Sequence, residues 1–220
     1  MANGGRDHVR WIDVPPERIA GWLISFARRH GATVAQPSPA VLTFRAADGS
    51  VAECHLPFPP LLAGPAPGGA EIAAHAAADR VVGVLLARLG GYAAGVFAGP
   101  GPELIASKVG ARPVHGRSAA GGTSQHRFAR RRQKQAAEAA AAAAGTAAAV
   151  FGPHAGELDA VVLGGDRRAM AALRADPRLR PYFDIAVDRF LTVPDPRLAV
   201  LRETPALFRA IRIRLAETDR

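Results

Sequence analysis

The spacing of apolar residues predicts the elements in the first part of the chain. Four of them lie at i, i+3, i+4 and i+7, namely Ile19, Trp22, Leu23 and Phe26. This spacing predicts a helix with one buried face, which is opened by Pro15-Pro16 and ends at Gly31. A short strand over residues 10–14 precedes the helix, and a hairpin turning at Asp48-Gly49 follows it within residues 41–56.

A stretch rich in proline and glycine, residues 57–69, separates this part from the rest of the chain. Because these residues favour turns and loops, we predict a domain boundary there. Residues 1–69 then form a small N-terminal α+β region, and residues 70–220 form a larger second domain. The second domain contains a continuous apolar run, residues 81–89, which is typical of a strand buried on both faces of a sheet.

The second domain alternates between strand and helix patterns. The predicted strands cover 81–89, 92–98, 104–109, 158–163, 190–193 and 211–215, and the predicted helices cover 125–144 and 167–174. The first three strands follow one another through short turns of glycine and proline, so they form an antiparallel meander. A meander followed by helices that alternate with strands predicts an α/β (α+β) fold, a ribonuclease H-like mixed sheet with flanking helices.

Positive charge is concentrated in one segment of this domain. The formal net charge of the chain is +9, and no acidic residue lies between Glu103 and Glu138. Eight cationic residues fall in that interval: Lys108, Arg112, Arg117, Arg127, Arg130, Arg131, Arg132 and Lys134. The rest of the chain is therefore close to neutral, and this segment favours an anionic partner such as RNA, DNA or a membrane surface.

Four of these cations share one side of the predicted basic helix. They lie at i, i+3, i+4 and i+7: Arg127, Arg130, Arg131 and Lys134. A charge run is commonly only a solvated face. Here no acidic residue inside the run is available for i, i+4 pairing, so the face repels itself and favours phosphate groups. We therefore predict contact with RNA.

Several classes of protein are excluded by what the sequence lacks. No apolar run is long enough to span a bilayer, and the amino-terminal residues have no apolar core of a signal peptide. The single cysteine, Cys54, excludes an internal disulfide and a cysteine-rich zinc site, and the seven histidines have no metal-ligand spacing. We expect a cytoplasmic monomer with no membrane contact, no metal and no cofactor.

Two weaker patterns have ordinary explanations. Gly164-Gly165-Asp166 lies between a predicted strand and a predicted helix, as a phosphate-binding turn does. It lacks the further glycine and the lysine of nucleotide-binding motifs, so we predict that Asp166 simply caps the helix. Glu157, Asp159 and Asp166 are candidates for the acidic cluster of a nuclease, but their spacing is unspecific.

The glycine-rich loop before the basic helix carries the most specific chemistry. Residues 116–124 read Gly-Arg-Ser-Ala-Ala-Gly-Gly-Thr-Ser, and Gln125 follows where the helix begins. A flexible connector has the same composition. This loop, however, is long for a strand-to-helix link and has basic flanks, and Gly121 and Gly122 let backbone N–H groups approach a substrate closely. The loop is therefore suited to bring one small functional group, such as a side-chain amide, into a site that is rich in phosphate groups.

Around this loop the sequence resembles the catalytic domain of eukaryotic-type class-1 peptide release factors. Those proteins carry a Gly-Gly-Gln tripeptide followed by an Arg-Phe-Ala-Arg helix, and here Gln125 is followed by His126 and by Arg127-Phe128-Ala129-Arg130. Thr123 and Ser124 separate the glycines from the glutamine. This spacing resembles the Gly-x-x-Gln motif of the release-factor-like hydrolases of ribosome quality control, in particular their actinobacterial branch.

The resemblance covers the second domain. Its motifs are specific over Lys108 to Gln135, and the strand order extends the likeness from about Ala70 to Arg220. Arg112 falls where the family has a functionally needed arginine, although Pro113 replaces the aromatic residue that is usual beside it in the eukaryotic members. The first seventy residues carry no recognisable motif.

The resemblance implies hydrolysis of the peptidyl-tRNA ester on a stalled large ribosomal subunit, with peptidyl-tRNA and ribosomal RNA as partners. An amide does not titrate, so Gln125 is no general base; it holds a water and donates to the developing oxyanion. Gly121, Gly122 and Arg112 are the other catalytic candidates. The RNA-binding candidates are Lys108, Arg117, His126, Arg127, Arg130, Arg131, Arg132 and Lys134.

Two alternatives stay open at this point. One is an enzyme that removes the 3′ end of the tRNA, with the loop positioning the ribose 2′ oxygen; its product is a peptide still joined to a short nucleotide stub. The other is a non-catalytic ribosome-binding factor that occupies the acceptor site. In that protein Gln125 is dispensable while the arginines remain essential.

Overall fold

The computed structural model describes residues 8–61, 67–88, 90–112 and 124–218, and over these residues it is a mixed α+β protein with two five-stranded sheets. The chain divides into two compact units: one comprises Met1–Ala78 and Ala206–Arg220, and the other comprises Asp79–Pro205. This division differs from the predicted one, 1–69 and 70–220. Among the described residues, no helix is both long enough and apolar enough to cross a membrane.

The first unit is an antiparallel sheet with two helices in its described residues. The strands are β1 (His8–Val14), β2 (Thr33–Pro37), β3 (Val41–Ala46), β4 (Val51–His55) and β10 (Ile211–Glu217), and the helices are α1 (Ile19–His30) and α2 (Gly69–Ala77). Neighbouring strands are hydrogen-bonded in the order β1-β10-β4-β3-β2.

The predicted helix and hairpin of the first unit are confirmed. Ile19 and Phe26 are fully buried in its core, and the Trp22 ring stacks on Phe26 with ring centroids 5.6 Å apart. Gly31, with φ of 90°, follows the last residue of α1, and Gly49, with φ of 91°, turns the chain between β3 and β4. Both glycines adopt a backbone conformation that other residues rarely reach.

Helix α2 and strand β10 account for the difference in the division of the chain. Ile72 and Ala76 of α2 are buried in the core of the first unit, so this helix belongs there. Strand β10 alternates as predicted, with Ile211, Ile213 and Leu215 buried, but it pairs with β1 and β4. An alternating pattern predicts a half-buried strand but not its partner, because strand pairing joins residues far apart in sequence.

The second unit contains the mixed sheet. Its strands are β5 (Val82–Arg88), β6 (Gly91–Ala98), β7 (Glu103–Ala111), β8 (Ala160–Gly165) and β9 (Ala186–Leu191), and its helices are α3 (Ser124–Phe151), α4 (Arg167–Arg174) and α5 (Arg180–Asp184). A further helix, α6 (Leu198–Arg209), contains the boundary between the units at Pro205. The strand order is β7-β6-β5-β8-β9.

The predicted meander and mixed sheet are confirmed. β5, β6 and β7 are antiparallel neighbours, whereas β8 is parallel to β5 and β9 is parallel to β8. Residues 82–87 are all buried, as the continuous apolar run in β5 predicted. Parallel pairs place the carboxyl ends of β5 and β8 at one edge of the sheet.

Helix α3 is longer than predicted and continues to Phe151. Gly145 does not end it, because the residues beyond this glycine, including Ala147 and Phe151, are buried against the sheet. Their burial outweighs the cost of about 1 kcal/mol for glycine inside a helix. A Cβ atom built on Gly83, at the start of β5, would lie 3.2 Å from the Phe151 ring. The carboxyl end of α3 therefore lies at the amino end of β5, and α3 begins toward the opposite edge of the sheet.

The buried Cys54 gives a specific test of the first unit. Burial raises the pKa of its thiol to about 12, so little thiolate is present at pH 8. We expect native protein to react with Ellman's reagent about a thousandfold more slowly than protein unfolded in guanidinium. Because the chain has a single cysteine, the absorbance change follows this one site. Rapid stoichiometric labelling under native conditions would contradict the burial.

Candidate functional site

Several predicted functional segments meet at one edge of the sheet in the second unit. β5 ends there at Arg88, and β7 ends there at Ala111, which pairs with Gly91 of β6. The N–H of Arg112 donates to the carbonyl oxygen of Gly90 at 2.8 Å, which fixes the point where the chain leaves the sheet. The following residues, 113–123, include the candidates Arg117, Gly121 and Gly122 and lie outside the described residues.

Most of the described side chains in the amino-terminal half of α3 are exposed. Side chains of this helix are described at Arg130 and from Gln133 onward, and the first one that is buried is Ala139. From Ser124 to Glu138 the helix runs about four turns, roughly 22 Å. Arg130 and Lys134 are both exposed along this half. These two described cations therefore face solvent, while the alanine-rich second half of the helix packs on the sheet.

Gln125 is the second residue of α3. The first four backbone N–H groups of a helix have no intrahelical partner, and the helix dipole places partial positive charge at this end. The backbone of Gln125 is therefore suited to donate to an oxyanion. His126, Arg127, Arg131 and Arg132 have helical backbones, and their side chains, like that of Gln125, lie outside the described ones.

The last cation of the run has an acidic neighbour just beyond the run. Lys134 has an acidic partner at i+4: its Nζ lies 4.0 Å from Oε1 of Glu138, one turn beyond the cationic run. The two side chains are 81% and 58% exposed, so solvent screens the pair and its contribution to stability is at most about 0.5 kcal/mol. Arg130 has no carboxylate within ion-pair distance among the described residues. Of the two described cations on this face, Arg130 is therefore unneutralised and Lys134 is only weakly paired.

Strand β7, the outermost strand of this sheet, carries further positive charge beside α3. Ala106 packs in the core with α3, and side chains two apart in a strand share a face, so Lys108 and Gly110 lie on the α3 side of the sheet. Lys108 and Arg112 are exposed. A Cβ atom on Gly110 would lie 2.6 Å from the ring of Tyr92, its partner on β6, so only glycine leaves room for this ring.

Three arginines at the same edge were not anticipated from the sequence. Arg88 ends β5; its Nη1 donates to the carbonyl oxygen of Val193 at 3.0 Å, and its Nε lies 3.8 Å from Asp195. Arg167 and Arg168 follow β8, with the Arg167 guanidinium 4.5 Å from the centre of the Phe190 ring. The parallel pairing of β5 with β8 gathers these residues at the edge where the loop leaves the sheet.

A pocket of about 240 Å³ lies between α3 and α4 at this edge. Its lining combines small apolar residues of the two helices with Tyr92 and two arginines: Ala87, Arg88, Gly90, Gly91, Tyr92, Ala136, Ala139, Ala140, Ala143, Asp166, Arg168, Ala169, Ala172 and Leu173. The pocket thus has apolar walls beside the point where the glycine-rich loop departs.

Asp166 caps α4, as predicted. Its Oδ1 accepts hydrogen bonds from the N–H groups of Arg168 at 2.6 Å and Ala169 at 3.4 Å. Gly165 before it has φ of 103° and packs against the backbone of Ala87 so closely that a Cβ atom would overlap the carbonyl oxygen. The Gly-Gly-Asp turn therefore joins strand to helix, and its first helical amides are already occupied by the aspartate.

The acidic residues of the nuclease alternative are not brought together. Asp159 lies before β8, where its carboxylate accepts from the N–H of Val81 at 2.7 Å, and Asp166 lies after the strand. The six residues of β8 separate them by about 20 Å. Within the described ranges, no three His, Cys, Asp or Glu side chains are grouped to hold a metal ion.

Comparison with known proteins gives one family. The model of the Actinobacteria/chloroflexi VLRF1 release factor matches residues 80–214, more than half of the chain. Among solved structures, an archaeal translation termination factor, aRF1, is similar, with 12% sequence identity and a TM-score of 0.39. The match covers 91% of this chain and 66% of aRF1, so the chain spans just under two thirds of that factor. No curated protein sequence matches the chain.

Proposed function

The chain belongs to the Actinobacteria/chloroflexi VLRF1 release factor family, and from this we propose that it hydrolyses the peptidyl-tRNA ester on stalled large ribosomal subunits. Membership gives it a release-factor-like role in translation. The observation that supports the finer proposal is that Gln125 directly follows Gly122-Thr123-Ser124 and lies at the start of a basic helix whose described cations, Arg130 and Lys134, are exposed. The direct test is release of peptide from such subunits by the purified protein.

In the proposed reaction Gln125 positions a water rather than activating it. The amide accepts one hydrogen bond from the water and donates another to the oxygen that becomes negative as the ester is attacked. The backbone N–H at the start of α3 adds a donor for the same oxyanion. The bond from the ester carbon to the ribose 3′ oxygen then breaks, and the proton that the water loses reaches this leaving oxygen through the neighbouring ribose hydroxyl. The ester of peptidyl-tRNA is already reactive, so placing the water within about 3 Å of the ester carbon supplies much of the acceleration.

The cationic residues hold RNA around this group. Helix α3 supplies the exposed Arg130 and Lys134, and β7 supplies the exposed Lys108. Phosphate contacts from these residues position the protein on the tRNA acceptor stem or on ribosomal RNA without reading its sequence. Arg117, His126, Arg127, Arg131 and Arg132 are proposed to extend this surface. We propose that the protein works in the cytoplasm as a monomer on the ribosome.

The glycines before Gln125 are expected to serve catalysis more than stability. Gly122→Ala should lower the rate of peptide release at least tenfold, because a side chain at this point hinders close approach to the substrate and restricts the backbone. The melting temperature should change by no more than a few degrees. Both quantities are measured on the same preparation, by release from stalled subunits and by thermal unfolding. Parallel losses of activity and stability would instead identify a structural glycine.

A further inference from the structure

We propose that the pocket between α3 and α4 binds one unpaired nucleotide of RNA, with its base inside the pocket and its phosphate at Arg168. This inference rests on the proposed function, since it assumes that RNA lies along α3. It adds a second contact point, between α3 and α4. Neither the loop motif nor the basic run indicates this site.

The walls of the pocket suit a flat apolar group. Four alanines of α3 lie along one wall, Ala136, Ala139, Ala140 and Ala143, and Ala169 and Ala172 of α4 lie along the other. Methyl groups of this size leave a cleft of about 240 Å³ where longer side chains would fill it. Tyr92 contributes an aromatic ring to the lining, and its own place is kept open by Gly110. Bases bind such surfaces through stacking and apolar contact.

The charges around the pocket favour an anion over a cation. Arg168 is the lining cation that remains for a ligand, because the Arg88 guanidinium already lies against the Val193 carbonyl oxygen and 3.8 Å from Asp195; Asp166 is the one lining carboxylate. That carboxylate accepts two backbone hydrogen bonds at the start of α4, which already stabilise its negative charge. Arg168 is exposed and lines the pocket. A phosphate attached to a bound base would therefore find a guanidinium partner within the same site.

The location of the pocket favours a nucleotide as its occupant over an apolar side chain of a protein partner. The pocket is lined by Gly90, whose carbonyl oxygen accepts from the N–H of Arg112, and by Ala136, one turn from Arg132 and two residues from Lys134. It is thus bounded by the exit point of the loop and by the basic half of α3. RNA held by those cations passes the mouth of the pocket, and single-stranded RNA presents unstacked bases to such clefts.

The test compares two RNA probes. One is a single-stranded hexanucleotide, and the other has the same backbone with abasic riboses. We expect the wild-type chain to bind the hexanucleotide about tenfold more tightly than the abasic probe, measured by fluorescence anisotropy. Ala136→Leu and Ala172→Leu, which fill the pocket from its two walls, should bind both probes equally. Ala137→Leu is the matched control because it lies beside Ala136 outside the lining, and it should keep the tenfold preference.

Arg168→Gln supplies a separate measurement. It should weaken binding of both probes and reduce the slope of log affinity against log salt by about 0.7, the value for one phosphate contact on a single strand. The four substituted residues, Ala136, Ala137, Arg168 and Ala172, are all exposed, so no variant changes a buried residue. Circular dichroism checks that each variant is folded.

Three results would overturn the inference. They are equal binding of the two probes by the wild type, an unchanged preference in both filling variants, or filling variants that lose peptide release while their binding of the probes is unaltered. The last result would identify a protein side chain as the occupant. Failure of the proposed function is recognised independently, because it appears as a wild-type chain that releases no peptide whatever its preference between the probes.

Discussion

Gln125→Ala is expected to abolish peptide release while leaving the fold and ribosome binding nearly intact. Loss of a group that positions water and stabilises the oxyanion costs about 3 kcal/mol in the transition state, which corresponds to a fall of more than a hundredfold in rate. Gln125 is the second residue of α3, well before the first described buried side chain of this helix at Ala139, so we expect the packed core to be unaffected. Single-turnover release from stalled subunits measures the loss.

Two controls make this prediction specific. Gln133→Ala makes the same change of side chain in the same amino-terminal half of α3, and it should release peptide at close to the wild-type rate. Co-sedimentation with large subunits should be equal for all three proteins. If Gln125→Ala released peptide as fast as the wild type, the chemistry would not pass through this residue. A non-catalytic role on the ribosome would then fit better.

Neutralising the basic helix should weaken binding to the large subunit in steps. Each of Arg127, Arg130, Arg131 and Lys134 changed to Gln should reduce the slope of log affinity against log salt by somewhat under one unit, because one fewer counterion is released. In the variant with all four substitutions this slope should fall by several units, and the protein should bind the large subunit weakly at physiological salt. The loss should be the same for different tRNA and peptide sequences, since phosphate contacts do not read bases.

The structure supplies matched controls for this series. Arg28 is an exposed arginine on α1 of the first unit, and Arg28→Gln should leave the salt slope unchanged. Glu138→Gln removes the carboxylate that lies 4.0 Å from Lys134 and should strengthen binding slightly. An unaltered affinity and salt slope in the fourfold variant would show that the helix is an ordinary solvated face.

Local patterns in the sequence were sufficient for several elements of the second unit, although helices α5 and α6 were not predicted. The meander, the buried strand β5 and helix α4 follow from apolar runs and turn residues that act over a few positions. The placement of β10 did not follow, because its partners β1 and β4 are distant in sequence. The end of α3 also differed, since burial of Phe151 and its neighbours outweighs the helix-ending tendency of Gly145.

The candidate site was predictable only where its residues are contiguous. Gln125 at the start of a basic helix is visible in the sequence alone. Arg88 and Arg168 are brought to the same edge by the parallel pairing of β5 with β8, and a solitary arginine after a strand gives no signal of that. The pocket could not be predicted from the sequence either, because it is lined by alanines of two helices, α3 and α4, that are separated in the chain. The ion pair of Lys134 with Glu138 was missed because the acidic residue lies just beyond the run.

The most direct measurement is the identity of the products when the purified protein acts on stalled large subunits carrying labelled peptidyl-tRNA. Ester hydrolysis predicts free peptide with an unmodified carboxyl terminus and a tRNA that keeps its complete 3′ end, and neither product should form with Gln125→Ala. Peptide still joined to a nucleotide stub, together with a shortened tRNA, would contradict ester hydrolysis and identify an enzyme that cleaves the tRNA.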